Sequence, residues 1–319
     1  MTGFVPSHPR NSGDAWVEGP DGHRFWGRYG AAGLLVHDPV AGILLQHRAE
    51  WSHFGGTWGL PGGARHEGET AVAGALREAH EEAGVPTDAI ELGFTSVLDL
   101  GYWSYVTVAS RASHPFEPRI GDAESLELRW VPVDDVAGLP LHPGFGSSWP
   151  ALRDRLGRRI RIVVDAANVV GSRPDGWWND RLGANERLLE RLRRLVAAGL
   201  DVAELSEGAD LPPGRVWADV NVVVEGAARE ARSPEASAPS LTPVLGIVRA
   251  PGSGDDAIVE EVGRAMGETG GSVVVVTADR ELSGRAGALG ASVRGPGWLL
   301  RLLDSVEGAD PREGPDPRA

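Results

Sequence analysis

The stretch from Gly63 to Val85 constrains this chain more than any other. Glu78, Glu81 and Glu82 stand at positions i, i+3 and i+4, so on a helix they share one face. Thr70 near the start, and Gly84 and Pro86 past the end, supply helix start and stop chemistry and predict a helix over Glu69–Ala83. Three carboxylates on one face repel one another unless a positive charge lies among them. Oxygen-only donors favour Mg²⁺ or Mn²⁺ over zinc or copper. Arg77 adjoins the cluster and Glu69 lies two turns earlier, so the two are expected to pair and orient the helix. Gly62 and Gly63 let the backbone approach a metal or a phosphate closely.

The rest of the chain sets the context. Its 319 residues suggest two domains. The absence of cysteine excludes a disulfide framework and thiolate metal sites. Residues 1–10 contain no apolar signal core, and no apolar run approaches the roughly 20 residues of a membrane helix. A cytoplasmic protein without a membrane partner is therefore expected. A net charge of −14 argues against non-specific polyanion binding by the whole surface. It does not exclude phosphate substrates, because a divalent cation inverts the local charge. Every basic residue is arginine, which genomic bias explains as well as function does.

Residues 1–30 read as a partly ordered extension anchored by Trp16, Phe25 and Trp26. A hairpin over 31–47 follows, then the Gly-rich loop 55–63 with Trp58, then the helix. Strands are expected at 92–100, 103–109 and 126–133. The domain boundary falls near residue 155, within 144–159. Beyond it, strands at 160–164, 216–224, 245–248 and 273–277 alternate with helices at 185–200, 255–266 and 281–289, the signature of a parallel α/β sheet. Residues 230–243 read as a mobile loop and 306–319 as a disordered tail.

Gly63, five residues, Glu69, seven residues, then Arg77-Glu78-Ala79-His80-Glu81-Glu82-Ala83-Gly84-Val85, approached by Trp58-Gly-Leu-Pro-Gly-Gly63, resembles the Nudix box at every fixed position. The resemblance extends over residues 30–140 in organisation. It implies an α/β/α sandwich with a mixed sheet, and Mg²⁺-dependent hydrolysis of the diphosphate in a nucleoside diphosphate derivative. Glu78, Glu81, Glu82 and the Gly63 carbonyl would hold the cation, Arg77 would orient Glu78, and Glu69 would support it. Some family members add a metal ligand where Glu124 and Glu127 stand here, and Glu127 is the candidate carried forward. Trp58 is a candidate for stacking a nucleobase, with packing as the favoured reading.

The second half, 156–305, resembles the PIN-like nucleases of the NYN branch, through Asp165-x-x-Asn168, Gly254-Asp255-Asp256 and Thr277-Ala-Asp279-Arg280. Asp165, Glu225, Asp255 or Asp256, and Asp279 lie at or near strand ends, where open parallel sheets form their ligand crevice. That resemblance implies a second Mg²⁺ or Mn²⁺ site, with Asn168 positioning a ligand and RNA as partner. Helix capping by Asp255 and Asp279 is the plainer reading. Trp177, Trp178 and the arginines around 187–194 are further candidates for RNA contact, with a buried seam and a solvated face as their ordinary alternatives. Three functions stay open: a nucleotide-derivative hydrolase, an RNA-processing enzyme whose first half senses a nucleotide end, and a binding module with an inactive pocket.

Overall fold

The computed structural model describes residues 12–173, 176–205, 210–232, 241–243, 245–269 and 272–308. They form two compact units that change over between Gly157 and Arg158, with Pro212–Gly214 counted in the first.

The first unit opens with a short antiparallel pair, β1 (Trp16–Glu18) and β2 (Arg24–Trp26). Trp16 meets Trp26 edge-on, and Phe25 stacks on Trp103. The aromatic anchors expected in the extension thus organise a hairpin. Next come β3 (Ala31–Asp38), β4 (Gly42–Arg48), β5 (Trp58–Gly59), β6 (Gly62–Ala64), α1 (Ala71–Ala83), β7 (Ile90–Asp99), β8 (Ser104–Ala112), β9 (Ser125–Val131) and α2 (Pro143–Arg153). β3 runs parallel to β8 and antiparallel to β4 and β6, so the sheet is mixed. β7 extends it beyond β8, and β5 and β9 both pair with β4. The Ala31–Val36 run is buried throughout. A strand apolar on both faces is what a central position requires.

α1 packs on β3, β6 and β8. Thr70 caps its start by accepting from the Ala73 N–H, and Gly84 ends it at φ +63°, donating to the His80 carbonyl. The helix begins after Glu69, two residues later than expected, because that carboxylate is held outside the first turn. The Arg119 and Gly121 N–H groups bond the Ala83 and Glu82 carbonyls, fastening the loop before β9 to the end of α1. Residues 144–159, read as a boundary segment, instead begin with most of α2, which buries Phe145, Trp149 and Leu152 despite an internal proline.

The second unit contains β10 (Ile160–Asp165), α3 (Ala166–Gly171), α4 (Arg181–Ala198), β11 (Leu200–Asp201), β12 (Arg215–Val216), β13 (Asp219–Val224), β14 (Leu245–Arg249), α5 (Gly254–Thr269), β15 (Ser272–Val276), α6 (Arg280–Ala288), β16 (Ser292–Arg294) and α7 (Pro296–Gly308). Five strands form a parallel sheet in the order β14-β13-β10-β15-β16. The chain builds outward from β10 to one side and then to the other, so the carboxyl end of β10 is a topological switch point. Val163, Val223, Val275, Ile258, Val262 and Leu282 form much of one core layer. The strand expected over 216–224 is two elements, since Val216 pairs antiparallel with Leu200 while 219–224 joins the parallel sheet.

Among the described residues no helix is long and apolar enough to cross a membrane. α7 runs to Gly308, three residues into the expected tail. The rest of that tail, 309–319, lies outside the described residues, as do 233–240 of the expected mobile loop and residues 1–11.

Candidate active site and a second acidic crevice

Arg77 is the hub of the first site. Its Nε and Nη2 donate to the two oxygens of Glu69 at 2.9 and 3.0 Å, a fork-to-fork pair. Nη1 donates to Glu78 Oε1 at 2.8 Å and to Glu81 Oε2 at 3.3 Å, and Nη2 also reaches the Ala64 carbonyl at 3.0 Å. Glu69 Oε2 accepts a further bond from the His66 N–H. The expected pairing of Arg77 with Glu69 and Glu78 is therefore present atom by atom. Burial works to raise the Glu69 carboxyl, but the Arg77 and His66 bonds prevail and hold it below its ordinary range. The bonds it donates to Glu69 chiefly keep the Arg77 guanidinium charged against its own burial.

Glu78 and Glu82 behave in the opposite way. Burial pushes Glu78 up to about 7, the Arg77 bond and charge opposing and the Glu81 charge adding to it. Glu82 is only 5% exposed. Its own burial and then the Glu78 charge push it well above the carboxylate range, against the Gly62 N–H that donates to Oε2 at 2.8 Å. A buried and a largely buried carboxyl thus repel one another, with one guanidinium bonded to Glu78. Gly63 lies against this pair, since a Cβ there would stand 2.8 Å from the Glu78 carboxyl carbon. Only glycine leaves that carboxyl its place without a shift. Glu81, half exposed, closes the outer edge of the face.

Among the described residues no three acidic or imidazole groups already form a cation cage. Arg77 draws Glu78 and Glu81 toward itself, while Gly62 holds Glu82. The donor chemistry nevertheless fits a hard divalent cation: two buried, mutually repelling carboxyls, a third at the rim, and a backbone shielded only by glycine.

Sequence reading overlooked several neighbours. Arg48, at the end of β4, acts electrostatically on Glu82, and Asp122 repels it. Arg48 also donates to the His53 carbonyl at 3.1 Å. Tyr105 is partly buried, with its phenol raised by desolvation, and lies where the Glu82 and Glu78 charges reach it. Such residues meet α1 through strand pairing and loop closure, which no local spacing announces. His142 lies at the start of α2. Its Nδ1 accepts from the Gly144 N–H at the start of α2, and burial with the Arg48 charge pushes the imidazole down to about 4.

Two expected contributors sit differently. Glu127 is half exposed and lies 3.6 Å from Arg129. Trp58 is 4% exposed, with its ring stacked 4.7 Å from the His47 imidazole and beneath the Arg129 guanidinium. Those neighbours fill its surroundings, as the packing reading requires.

The NUDIX domain model matches residues 27–153. A Mycobacterium tuberculosis protein called putative 8-oxo-dGTP diphosphatase 3 is 49% identical over 154 residues, spanning 45% of this chain and 70% of that protein. The chain belongs to the Nudix hydrolase family. Residues 27–153 are its Nudix domain, and the Glu69–Glu82 constellation lies inside it. RenU, a Nudix hydrolase from M. smegmatis, is 50% identical in its crystal structure; the match covers 44% of this chain and 94% of RenU, with a TM-score of 0.42. A nucleoside triphosphate pyrophosphatase/Nudix hydrolase fusion protein from Bifidobacterium longum is 43% identical over 152 residues, spanning 45% of this chain and 32% of that protein.

The second unit gathers acids at its switch point. Asp165 Oδ2 accepts from Thr277 Oγ1 at 2.9 Å and from the Asn168 side-chain amide at 2.8 Å, while Oδ1 caps α3 through the Asn168 N–H. Asn168 Oδ1 accepts from the Ala278 N–H, tying the ends of β10 and β15 together. Glu225 follows β13 directly and accepts from the Gly254 N–H at 2.9 Å. Asp255 lies in the first turn of α5, not at its cap; burial first, then the Asp279, Asp165 and Glu225 charges, raise it. Asp256 turns away to Arg285 at 2.6 Å. Asp279 caps α6 by accepting from the Leu282 N–H, as the plainer reading anticipates. Elsewhere in the unit, Trp178 is exposed beside Trp177, and Arg191, Arg193 and Arg194 are spent on Glu190, Asp304 and Glu307. Those three arginines therefore act as a paired, solvated face.

Proposed function

We propose that the Nudix domain hydrolyses the diphosphate link of a nucleoside diphosphate derivative, with Mg²⁺ or Mn²⁺ held by Glu78, Glu81, Glu82 and the Gly63 carbonyl. The observation that carries this reading is the buried Glu78–Glu82 pair, whose carboxyls are pushed toward neutrality where no cation balances them. A bound cation neutralises charge on the diphosphate oxygens and makes a nearby water more acidic. Arg77 fixes Glu78 from the side, and Glu69 with the His66 N–H keeps Arg77 aligned. Gly62 aims Glu82. Burial of this face limits competing water and strengthens each charge contact.

The name of the M. tuberculosis relative makes oxidised purine nucleoside triphosphates the first substrates to test, beside nucleotide sugars, dinucleotides and capped RNA. A hydrolysis panel with Mg²⁺, comparing wild type with Glu81→Gln, tests the reading. Glu81 is suitable because its exposure allows the variant to fold. Turnover should fall by about a thousandfold on the preferred substrate; an unchanged rate would remove the assignment.

A second reading concerns the second unit, which we propose is PIN-like and cleaves or binds RNA with Mg²⁺ or Mn²⁺ at Asp165, Glu225, Asp255 and Asp279. Support comes from Asp255, which feels the charges of the other three at a strand-switch crevice. The Asp256 assignment is the weaker alternative because Arg285 already engages it. On this reading the protein processes RNA, and the Nudix domain trims or senses a nucleotide end. RNA cleavage with Mn²⁺ should be lost in Asp165→Asn; equal cleavage by both proteins would reject the site.

A further inference from the structure

The second unit carries a recess of about 450 Å³ bordered by Leu182, Glu186, Arg229, Glu230, Arg232 and Arg249. Three guanidinium groups around one opening repel one another unless acids pair with them. Elsewhere in this chain arginines are routinely paired: Arg191 bonds Asp304 and Glu307, and Arg264 bonds Glu261 and Glu268. Among the described residues none of the three around the recess forms an ion pair, although Glu186 and Glu230 line the same wall.

Their hydrogen bonds are also incomplete. Arg229 Nε is buried with no partner, and its Nη2 reaches only the Gly252 carbonyl, at 3.4 Å. Arg249 donates to the carbonyls of Arg229 and Ala231 at 2.9 and 3.1 Å, which fixes the turn bearing Arg229 but leaves Nη1 unspent. Arg232 is exposed. A guanidinium carries five donors in a planar fork that matches phosphate oxygens. A buried donor with no acceptor is destabilising, because it has given up its bond to water and gained none in return. Arg229, Arg232 and Arg249 thus border one opening with donor capacity left over, which suits a negatively charged acceptor.

We propose that this recess is a phosphate-binding site. Arg229 Nη2 reaches the Gly252 carbonyl, and the Gly254 N–H two residues on is held by Glu225. Arg229 follows Glu225 by four residues, on the short 3-10 helix Gly226–Glu230, so a phosphate at the recess would lie on the side of the acids at the carboxyl end of the sheet. That position suits the backbone of a nucleic-acid strand running from the arginines toward the acids, and it equally admits a free phosphate group. The inference depends neither on the Nudix domain nor on the acidic crevice being catalytic.

The test uses the full chain in EDTA, with fluorescence anisotropy of a short labelled single-stranded RNA and inorganic phosphate as competitor. Calorimetry with inorganic phosphate alone forms the second arm. RNA binding that weakens at least about tenfold in Arg229→Ala, with a salt dependence shallower by roughly 0.7 per arginine removed, assigns the site to a strand's phosphodiesters. Phosphate binding that Arg229→Ala abolishes, without RNA binding, assigns it to a free phosphate group. Arg249→Ala removes bonds to the backbone and can unfold the turn, so Arg232→Glu, at an exposed side chain, is the independent variant. Its melting temperature should match wild type while binding falls by at least as much as in Arg229→Ala. Wild-type protein that binds neither probe, or binding equal in wild type, Arg229→Ala and Arg232→Glu, overturns the proposal.

Discussion

In the Nudix domain the acids lie on one helix; in the second unit they arrive from four separate chain segments. Neighbouring turns of α1 force Glu78, Glu81 and Glu82 together whatever the tertiary structure does, and packing of α1 on β3 then buries Glu82 and most of Glu78. The crevice of the second unit is assembled only when β10, β13, β14 and β15 align in parallel, and its central acid is satisfied internally by Asn168 and Thr277. One arrangement leaves carboxyl charge uncompensated and the other absorbs much of it. A helical cluster therefore announces its chemistry in sequence, while a convergent cluster has to be inferred from topology.

The comparison is sharpened most strongly by kinetics. Glu82→Gln should lower kcat for nucleotide hydrolysis by about a thousandfold, because the buried acid has no substitute on its helix. A loss of less than tenfold would make the α1 cluster as internally satisfied as Asp165. The next largest effect is on stability. Arg77→Ala strips Glu69 and Glu78 of their partner, and breaking such a largely buried pair should cost about 3 kcal/mol in chemical denaturation. A change near zero would mean that solvent screens this network as it does exposed pairs.

pH offers a smaller, signed effect. The folded value of Glu78, about 7, lies above its ordinary 4.5. Its contribution to stability is then fully present below about pH 4.5 and is lost as pH rises through 7. Metal-free protein should lose up to about 3 kcal/mol over that window, with Glu82 acting in the same direction. Denaturation in EDTA across that window checks this, and Mg²⁺ should reduce the slope. Stability that rises across the window would contradict the burial of the pair.

Much of the Nudix domain was legible because its signals are local. The Thr70 cap, the Gly84 stop, the i, i+3, i+4 acids and the Arg77–Glu69 pair all lie within one helix and its approach. α2 escaped notice because Gly144, Gly146 and Pro150 weaken its helical signal, and burial of Phe145, Trp149 and Leu152 overrides that weakness. Arg48 and Asp122 escaped because they reach Glu82 from a strand end and a distant loop. In the second unit the alternation of strands and helices was readable, whereas the choice between Asp255 and Asp256 was not. Adjacent residues on a helix point in different directions, and only the placement of Arg285 on α6 shows which one turns away.

The most direct test of the central claim is calorimetric titration of Mg²⁺ into metal-free protein bound to a non-hydrolysable nucleotide at pH 7, repeated in buffers of different ionisation enthalpy. Burial raises Glu78 to about 7 and moves Glu82 in the same direction, so cation binding should expel on the order of one proton per chain, and Glu82→Gln should lose both the proton release and most of the affinity. Saturating Mg²⁺ uptake without proton release, or no uptake at all, would contradict a cation bound between these carboxyls.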